Sequence, residues 1–204
     1  MTANIDYLNR NSKLIIENLN QEDIDVYIFL TDEFQKGSIL ENYVFQFTFR
    51  SFYRIDNAGL TSEFKAKYFK YLEKYRRNKV IPIESIVRDL YDIPNRKGQK
   101  SLQFSFATKL ANTINSKFPI YDSKVAKVYN FRVPYSYKTS DQRLNEYLGF
   151  YNLLSESYQA IIKEQLLKPV FKKFHSKFKS NSKMPDIKAL DFIMWSAGKL
   201  LSKK

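Results

Sequence analysis

The chain has 204 residues, 44% of them apolar and 16% aromatic, enough to bury a core and so to exclude a disordered or fibrous protein. It has no cysteine and one histidine, His175, which excludes disulfides, thiol nucleophiles, cysteine-held zinc and iron–sulfur clusters, and leaves a histidine-rich metal site without ligands. A net charge of +13 points to a polyanionic partner.

The opening MTANIDYLNR has no basic segment followed by an apolar run, so no signal peptide is expected. The densest apolar window, VFQFTFRSFY, is interrupted by Gln46 and Arg50, well short of the roughly 18 apolar residues of a membrane span. The expectation is a soluble, cytoplasmic, nucleoid-associated monomer with no membrane partner. Apolar spacing predicts a first helix over 4–19 and a second over 22–35, closed by Lys36-Gly37. Across 38–54 the alternation of Tyr43, Phe45, Phe47 and Phe49 also fits a strand, but the length favours a buried helix. Asp56-Asn57-Ala58-Gly59 is a turn, after which Thr61 or Ser62 caps a basic helix running to about Arg77.

Pro82 opens a helix over 83–91, and the polar loop IPNRKGQKS precedes another over 102–115, with Leu102, Phe106, Leu110 and Ile114 as its core face. Asp122 is the candidate N-cap for the helix after Phe118-Pro119. A loop around Pro134 leads to one long helix or two over 141–167, and Pro169 suits the first turn of the next. SNSKMP (180–185) reads as a linker before an amphipathic helix over 186–202. No internal repeat is visible.

Charge is uneven. Residues 1–34 carry two basic side chains against seven acids, residues 65–100 eleven against four, and residues 163–204 eleven lysines against three acids. Such asymmetry suits a molecule with one face toward phosphate, and equally one with solvated helix faces. The helix over 169–179 alternates Val170, Phe171, Phe174 and Phe178 with lysines, which predicts docking on the core with the lysines toward solvent or phosphate. Arg50 and Arg54 either line a polar cleft or pair with acids such as Asp56. His175 is assigned no chemistry.

The stretch IESIVRDLYDIPNRKGQKSLQFSFATKLANTINSKFPIYDSKV carries the chemistry. A loop between two helices presents backbone N–H groups, and the next helix aims its positive end outward, so a phosphate is held without base contacts. Arg96, Lys97 and Lys100 add charge around Gly98 and Ser101, and Lys124 follows Asp122. An aspartate held ionised at a helix N-cap can stabilise an oxocarbenium-like sugar or activate water at its anomeric carbon.

From Ile83 to Tyr129 the sequence resembles the helix-hairpin-helix plus Gly/Pro-Asp core of DNA base-excision glycosylases, with PIYDSKV (119–125) as the matching motif. The flanking VFQFTFRSFYRIDNAGLT and LDFIMWSAGK resemble small bacterial 8-oxoguanine glycosylase-like proteins. The resemblance implies an all-α fold of two helical lobes around the 83–129 core, treated as a single helical domain of residues 1–204 with the terminal helix at 186–204. It implies that Asp122 is the catalytic carboxylate, that 94–101 binds a phosphate, and that a base is extruded into a pocket between the lobes of a protein bound to double-stranded DNA.

The hairpin departs from the usual L-P-G-x-G form, and the position that carries lysine in strand-cleaving relatives falls near Phe104 or Ser105. Lys109, one turn beyond Ser105 and on a face shared with Asn112, is the candidate for a displaced amine nucleophile, its pKa lowered by partial burial; otherwise it is a solvated lysine or half of an ion pair. Asp122 would otherwise be a purely structural cap. Ser105, Tyr53 and Trp195 are candidate base-pocket residues, with core packing as the plainer role for both aromatics; Gly198 leaves room beside the Trp195 indole. No metal or cofactor is required. The expected activity is hydrolysis of the N-glycosidic bond of a damaged or modified base, with strand cleavage depending on Lys109. The alternatives are a non-catalytic helix-hairpin-helix DNA-binding module and an antitoxin-like helical protein with an acidic protein partner.

Overall fold

Helical periodicity along nearly the whole sequence becomes helix in the computed structural model, which describes residues 2–178 and 184–202. Among these residues there are eleven α-helices and no strand, so the all-α expectation holds. In chain order they are α1 (Ile5–Arg10), α2 (Ser12–Glu17), α3 (Gln21–Lys36), α4 (Tyr43–Phe52), α5 (Ser62–Lys74), α6 (Ile83–Tyr91), α7 (Phe104–Ile114), α8 (Ser123–Val128), α9 (Ser140–Lys163), α10 (Lys168–Lys177) and α11 (Asp186–Leu201). They form two units, one of Glu22–Asn115 and one of Met1–Gln21 with Ser116–Lys204. No helix of the described residues is long and apolar enough to cross a membrane.

In the Glu22–Asn115 unit the aromatic run at 38–54 forms a helix. Asn42 caps α4 by accepting the Phe45 N–H at 2.9 Å. The helical period then splits the alternating aromatics: Phe45 and Phe49 are fully buried, while Tyr43, Val44 and Phe47 are exposed. Phe49 sits at the centre of the cluster, its ring 4.6 Å from Tyr53, 5.7 Å from Phe69 and 6.0 Å from Tyr68. Tyr68 places its hydroxyl on the Phe106 carbonyl of α7 at 3.0 Å, and burial pushes that phenol well above its ordinary pKa.

The basic helix expected to reach Arg77 stops at Lys74. Arg76 folds back to bind Glu73 through two nitrogens, donates to the Phe34 carbonyl and covers the Phe34 ring at 4.4 Å. The same Glu73 carboxylate accepts the Ile39 N–H at 3.0 Å, so it ties the loop after α3 to α5. Between α4 and α5, Asp56 accepts from Arg50 at 3.2 Å and from Lys65 at 2.5 Å, the pairing the sequence offered for Arg50. Gly59 then turns the chain in the left-handed region, at φ 67°.

In the other unit the predicted 4–19 helix is two helices. Asn11 ends α1 by donating its side-chain amide to the Tyr7 carbonyl at 2.8 Å, a local bond that competes with helix continuation. The 141–167 segment is one helix, α9, opened by a Thr139/Gln142 capping box and followed by Gln165 at φ 53°. Helix α10 has Pro169 in its first turn and buries Val170 and Phe174, with Phe178 buried just beyond its end. Its lysines do more than face solvent. Lys173 donates to Ser12 Oγ at 2.7 Å, and Lys177 donates to the Ile16 and Leu19 carbonyls at 2.9 and 2.6 Å, closing the carboxyl end of α2. Lys179 and residues 180–183 of the expected linker lie outside the described residues. Helix α11 is the core of this unit, with Ala189, Leu190, Ile193, Met194 and Ala197 wholly buried.

Burial alone would raise the Asp56 pKa, but the Lys65 and Arg50 bonds hold it below the ordinary aspartate value. A depressed carboxyl pKa stabilises the fold above the unfolded value, and that contribution is lost as pH falls through the folded one. The melting temperature of wild type should therefore exceed that of Asp56→Asn at neutral pH, with the gap closing below about pH 4. A gap independent of pH would remove the charge network as its cause.

Candidate functional site

The residues leading to Asp122 are held from both sides. The Pro119 carbonyl accepts the buried Tyr151 hydroxyl of α9 at 2.9 Å, and the Ile120 N–H donates to Asp191 Oδ1 of α11 at 3.0 Å. Tyr121 is buried edge-on against Tyr147 and Phe150, at 5.2 and 5.9 Å, and burial raises its hydroxyl pKa. Asp122 itself is extended, at φ −140° and ψ 152°, half-buried, and accepts the Lys124 N–H at 2.8 Å, the N-cap geometry its sequence position predicted. Helix α8 follows, with Val125, Ala126 and Val128 buried.

Gly198 explains how α8 is seated. A Cβ there would lie 2.0 Å from the Lys124 carbonyl oxygen, so α11 meets the backbone of α8 directly. The glycine therefore serves the approach of two main chains, and not the space beside Trp195 that the sequence suggested. Trp195 is half-buried with the Lys199 ammonium 4.3 Å over its ring. Near the end of α11, Lys124 and Lys127 both donate to Ser202 Oγ, at 3.2 and 3.1 Å, and that hydroxyl donates to the Gly198 carbonyl at 2.7 Å.

Asp191 is an acid inside a hydrophobic helix face. It is 5% exposed and Lys188, 3% exposed, places its ammonium 4.0 Å away. Burial raises the Asp191 pKa, opposed by the Lys188 charge, the Ile120 N–H and Tyr158. The Lys188 ammonium also lies 5.1 Å from the Phe192 ring centroid.

The 94–101 loop differs in one respect from the expected phosphate grip. Asn95 donates to the Gln99 carbonyl, Gly98 donates to the Asn95 carbonyl, and Lys97 and Gln99 both donate to Asn95 Oδ1; Arg96 donates to the Gly59 carbonyl at 2.9 Å. Every amide from Asn95 to Gln99 thus has an acceptor within the protein. Asn95 wires the loop by an Asx-type turn, and Gly98, at φ 75°, closes it. What this loop offers outward is side chains: Arg96 and Lys97 are exposed, Lys100 pairs with Asp92 at 3.0 Å, and Ser101 Oγ accepts from Gln103 at 2.7 Å.

Lys109 lies on α7 with Ser105 and Asn112 at helical spacing, Asn112 buried and the other two half-buried. Its ammonium is 3.4 Å from the Tyr53 carbonyl and 4.9 Å from the Phe106 ring centroid. Tyr53 is buried, its ring packed on Phe49 and Phe52. The structure therefore brings Lys109 and Tyr53 together. Arg96, Lys97, Gly98, Lys100, Ser101, Ser105, Lys109 and Tyr53 belong to the Glu22–Asn115 unit, and Asp122, Lys124 and Trp195 to the other.

Sequence reasoning missed Tyr151, Asp191 and Lys188 as supports, and misread Gly198. One signal was present: an aspartate in LDFIMWSAG, on a helix otherwise apolar enough to be buried, needs an interior partner. Among the described residues no group of three or more histidine and carboxylate side chains is placed to hold a metal ion. Compared with known proteins, the chain matches no family model, no curated protein and no solved structure.

Removing one member of a buried ion pair is costly, so Asp191→Asn should lose about 3 kcal/mol in urea unfolding. Adding Lys188→Met should restore part of that loss, and strictly additive effects would rule out coupling between the two charges. Gly198→Ala should cost about 3 kcal/mol, because its methyl meets backbone and not a movable side chain. The control is Gly149→Ala on α9, where a Cβ meets nothing within 4 Å and stability should rise by up to about 1 kcal/mol.

Proposed function

We propose that this protein is a DNA glycosylase that hydrolyses the N-glycosidic bond of a damaged or modified base in duplex DNA, with Asp122 as the catalytic carboxylate. The observation that carries this reading is the mounting of residues 119–124: Tyr151, Asp191 and Gly198 each fix a main-chain group of that stretch. A carboxylate needed only as a helix cap does not require three buried or close-packed supports, whereas one that must meet a reacting sugar gains from a fixed position. The motif around it, PIYDSKV, is the one that resembles the glycosylase core.

In this reading the bond between C1′ and the base nitrogen breaks with its electron pair leaving on the base. The Asp122 carboxylate faces the cationic sugar and lowers its energy, then takes the proton of the water that closes on C1′. The DNA backbone is held by side chains, not by hairpin amides: Arg96 and Lys97 from the loop, and Lys124 with Lys127 beside Ser202. The two ammonium groups on one hydroxyl repel each other, and the negative charge of a backbone phosphate there relieves that repulsion. Strand cleavage depends on Lys109 in this reading: its amine condenses with C1′ of the abasic sugar, expelling water to give an imine, and loss of a C2′ proton then breaks the C3′–O bond and releases the phosphate. The protein acts as a monomer on DNA in the cytoplasm.

Base release from duplexes bearing single modified bases tests this. Wild type should form abasic sites on at least one substrate, and Asp122→Asn should slow that by about a hundredfold or more while duplex binding is kept. Borohydride should trap wild type on abasic DNA, and the adduct should vanish in Lys109→Ala. An adduct that survives removes Lys109 from the reaction. Equal DNA binding by wild type and Asp122→Asn, with no release from the panel or from modified phage DNA, would replace the enzyme by a DNA-binding module.

A further inference from the structure

The loop between α8 and α9 exposes what folding normally hides. In FRVPYSYKT (131–139), Val133 is 54% exposed, Tyr135 54% and Tyr137 80%. The two tyrosine rings lie face to face, centroids 5.4 Å apart and planes 13° from parallel. Both ends of the loop are fastened. Phe131 stacks on Phe150 at 4.2 Å, Pro134 is buried, the Lys138 N–H closes a turn on the Tyr135 carbonyl at 3.2 Å, and Thr139 starts the capping box of α9. The tyrosines therefore stand on a built support.

Charge indicates what such a pair would meet. Between Asp122 and Asp141 the sequence has Lys124, Lys127, Arg132 and Lys138 and no acid. Lys138 is neutralised by Glu146 at 2.5 Å, but Arg132 and Lys127 are exposed. Exposed parallel aromatics flanked by cations suit a ligand that is flat, apolar on its faces and negatively charged along its chain. Nucleic acid with an unpaired base has all three properties, and a base stacks on any aromatic face without regard to its sequence.

We infer that Tyr135 and Tyr137 form a stacking platform for an unpaired nucleobase, the base extending the two-ring stack while the neighbouring cations meet its phosphates. The inference rests on the DNA-binding part of the proposed function and not on base removal. The platform and Asp122 belong to the same unit, the loop beginning just after α8 ends.

The test is fluorescence anisotropy with two labelled duplexes, one fully paired and one carrying a bubble of unpaired thymines. Wild type should prefer the bubble by about tenfold or more. Tyr135→Ala with Tyr137→Ala should abolish that preference while leaving paired-duplex binding within about twofold, and the corresponding double Phe variant should keep it, since the ring and not the hydroxyl stacks. Absence of a preference in wild type, or its survival in the double Ala variant, overturns the platform. The two readings fail separately. A tyrosine-dependent bubble preference in a protein that releases no base leaves the platform standing and removes the glycosylase, while base release without that preference does the reverse.

Discussion

The bond from the Ile120 N–H to the buried Asp191 carboxylate is the constraint on which the Asp122 segment depends. A carboxylate taken from water is expensive, and it is tolerated only where charge and hydrogen bonds replace the lost solvent. Here Lys188 supplies the charge, and the Ile120 N–H meets one of the oxygens. Apolar residues of similar size would fill the same space at less cost, so the acid is explained by what it holds. What it holds is the main chain two residues before Asp122. Tyr151 at Pro119 and Gly198 at Lys124 act on the same short stretch, and together they leave α8 and its cap little freedom to shift.

The Glu22–Asn115 unit solves a different problem by similar means. Its core is aromatic, and rings pack in few orientations, so the loops around them need polar anchors. Asp56 gathers Arg50 and Lys65 at the turn after α4, and Glu73 gathers Arg76 and the Ile39 amide at the turn after α3. In both cases one partly exposed carboxylate organises a loop through several donors, and both carboxylates have pKa values held below the ordinary range by those donors against the opposing effect of burial. Asn95 does the same for the 94–101 loop with a neutral oxygen.

Helix type and most core positions were legible in the sequence because they follow from local periodicity. Ile83–Tyr91 came out as predicted, since Pro82 starts it and one apolar stripe defines it. Asp122 was recognisable as a cap for the same reason. The failures all involve partners distant in sequence or single hydrogen bonds. Nothing near Gly198 announces that Lys124 will lie against it, and nothing near Lys177 announces the open carbonyls of α2. The break at Asn11 turns on one side-chain amide that periodicity does not weigh. The Tyr43–Phe49 alternation was ambiguous because aromatic residues serve either period, and only capping by Asn42 and burial of every fourth residue resolve it.

Net charge was the weakest guide to where an anion would bind, because it does not say which of the 34 basic side chains are already engaged. Lys173 and Lys177 bond to α2, Arg50 and Lys65 to Asp56, Arg76 to Glu73 and Lys138 to Glu146. Lys124 and Lys127, on the helix that Asp122 caps, both donate to the Ser202 hydroxyl, and Arg132 follows on the loop that presents Tyr135 and Tyr137. In the other unit Arg96 and Lys97 project from a loop whose own amides are occupied. An anion held by flexible lysine and arginine side chains is held by charge more than by direction, so its binding falls steeply with salt and carries little sequence preference. Selectivity would then have to come from groups held in place, and in the unit that carries Lys124, Lys127 and Arg132 these include the clamped Asp122 segment and the stacked pair of Tyr135 and Tyr137.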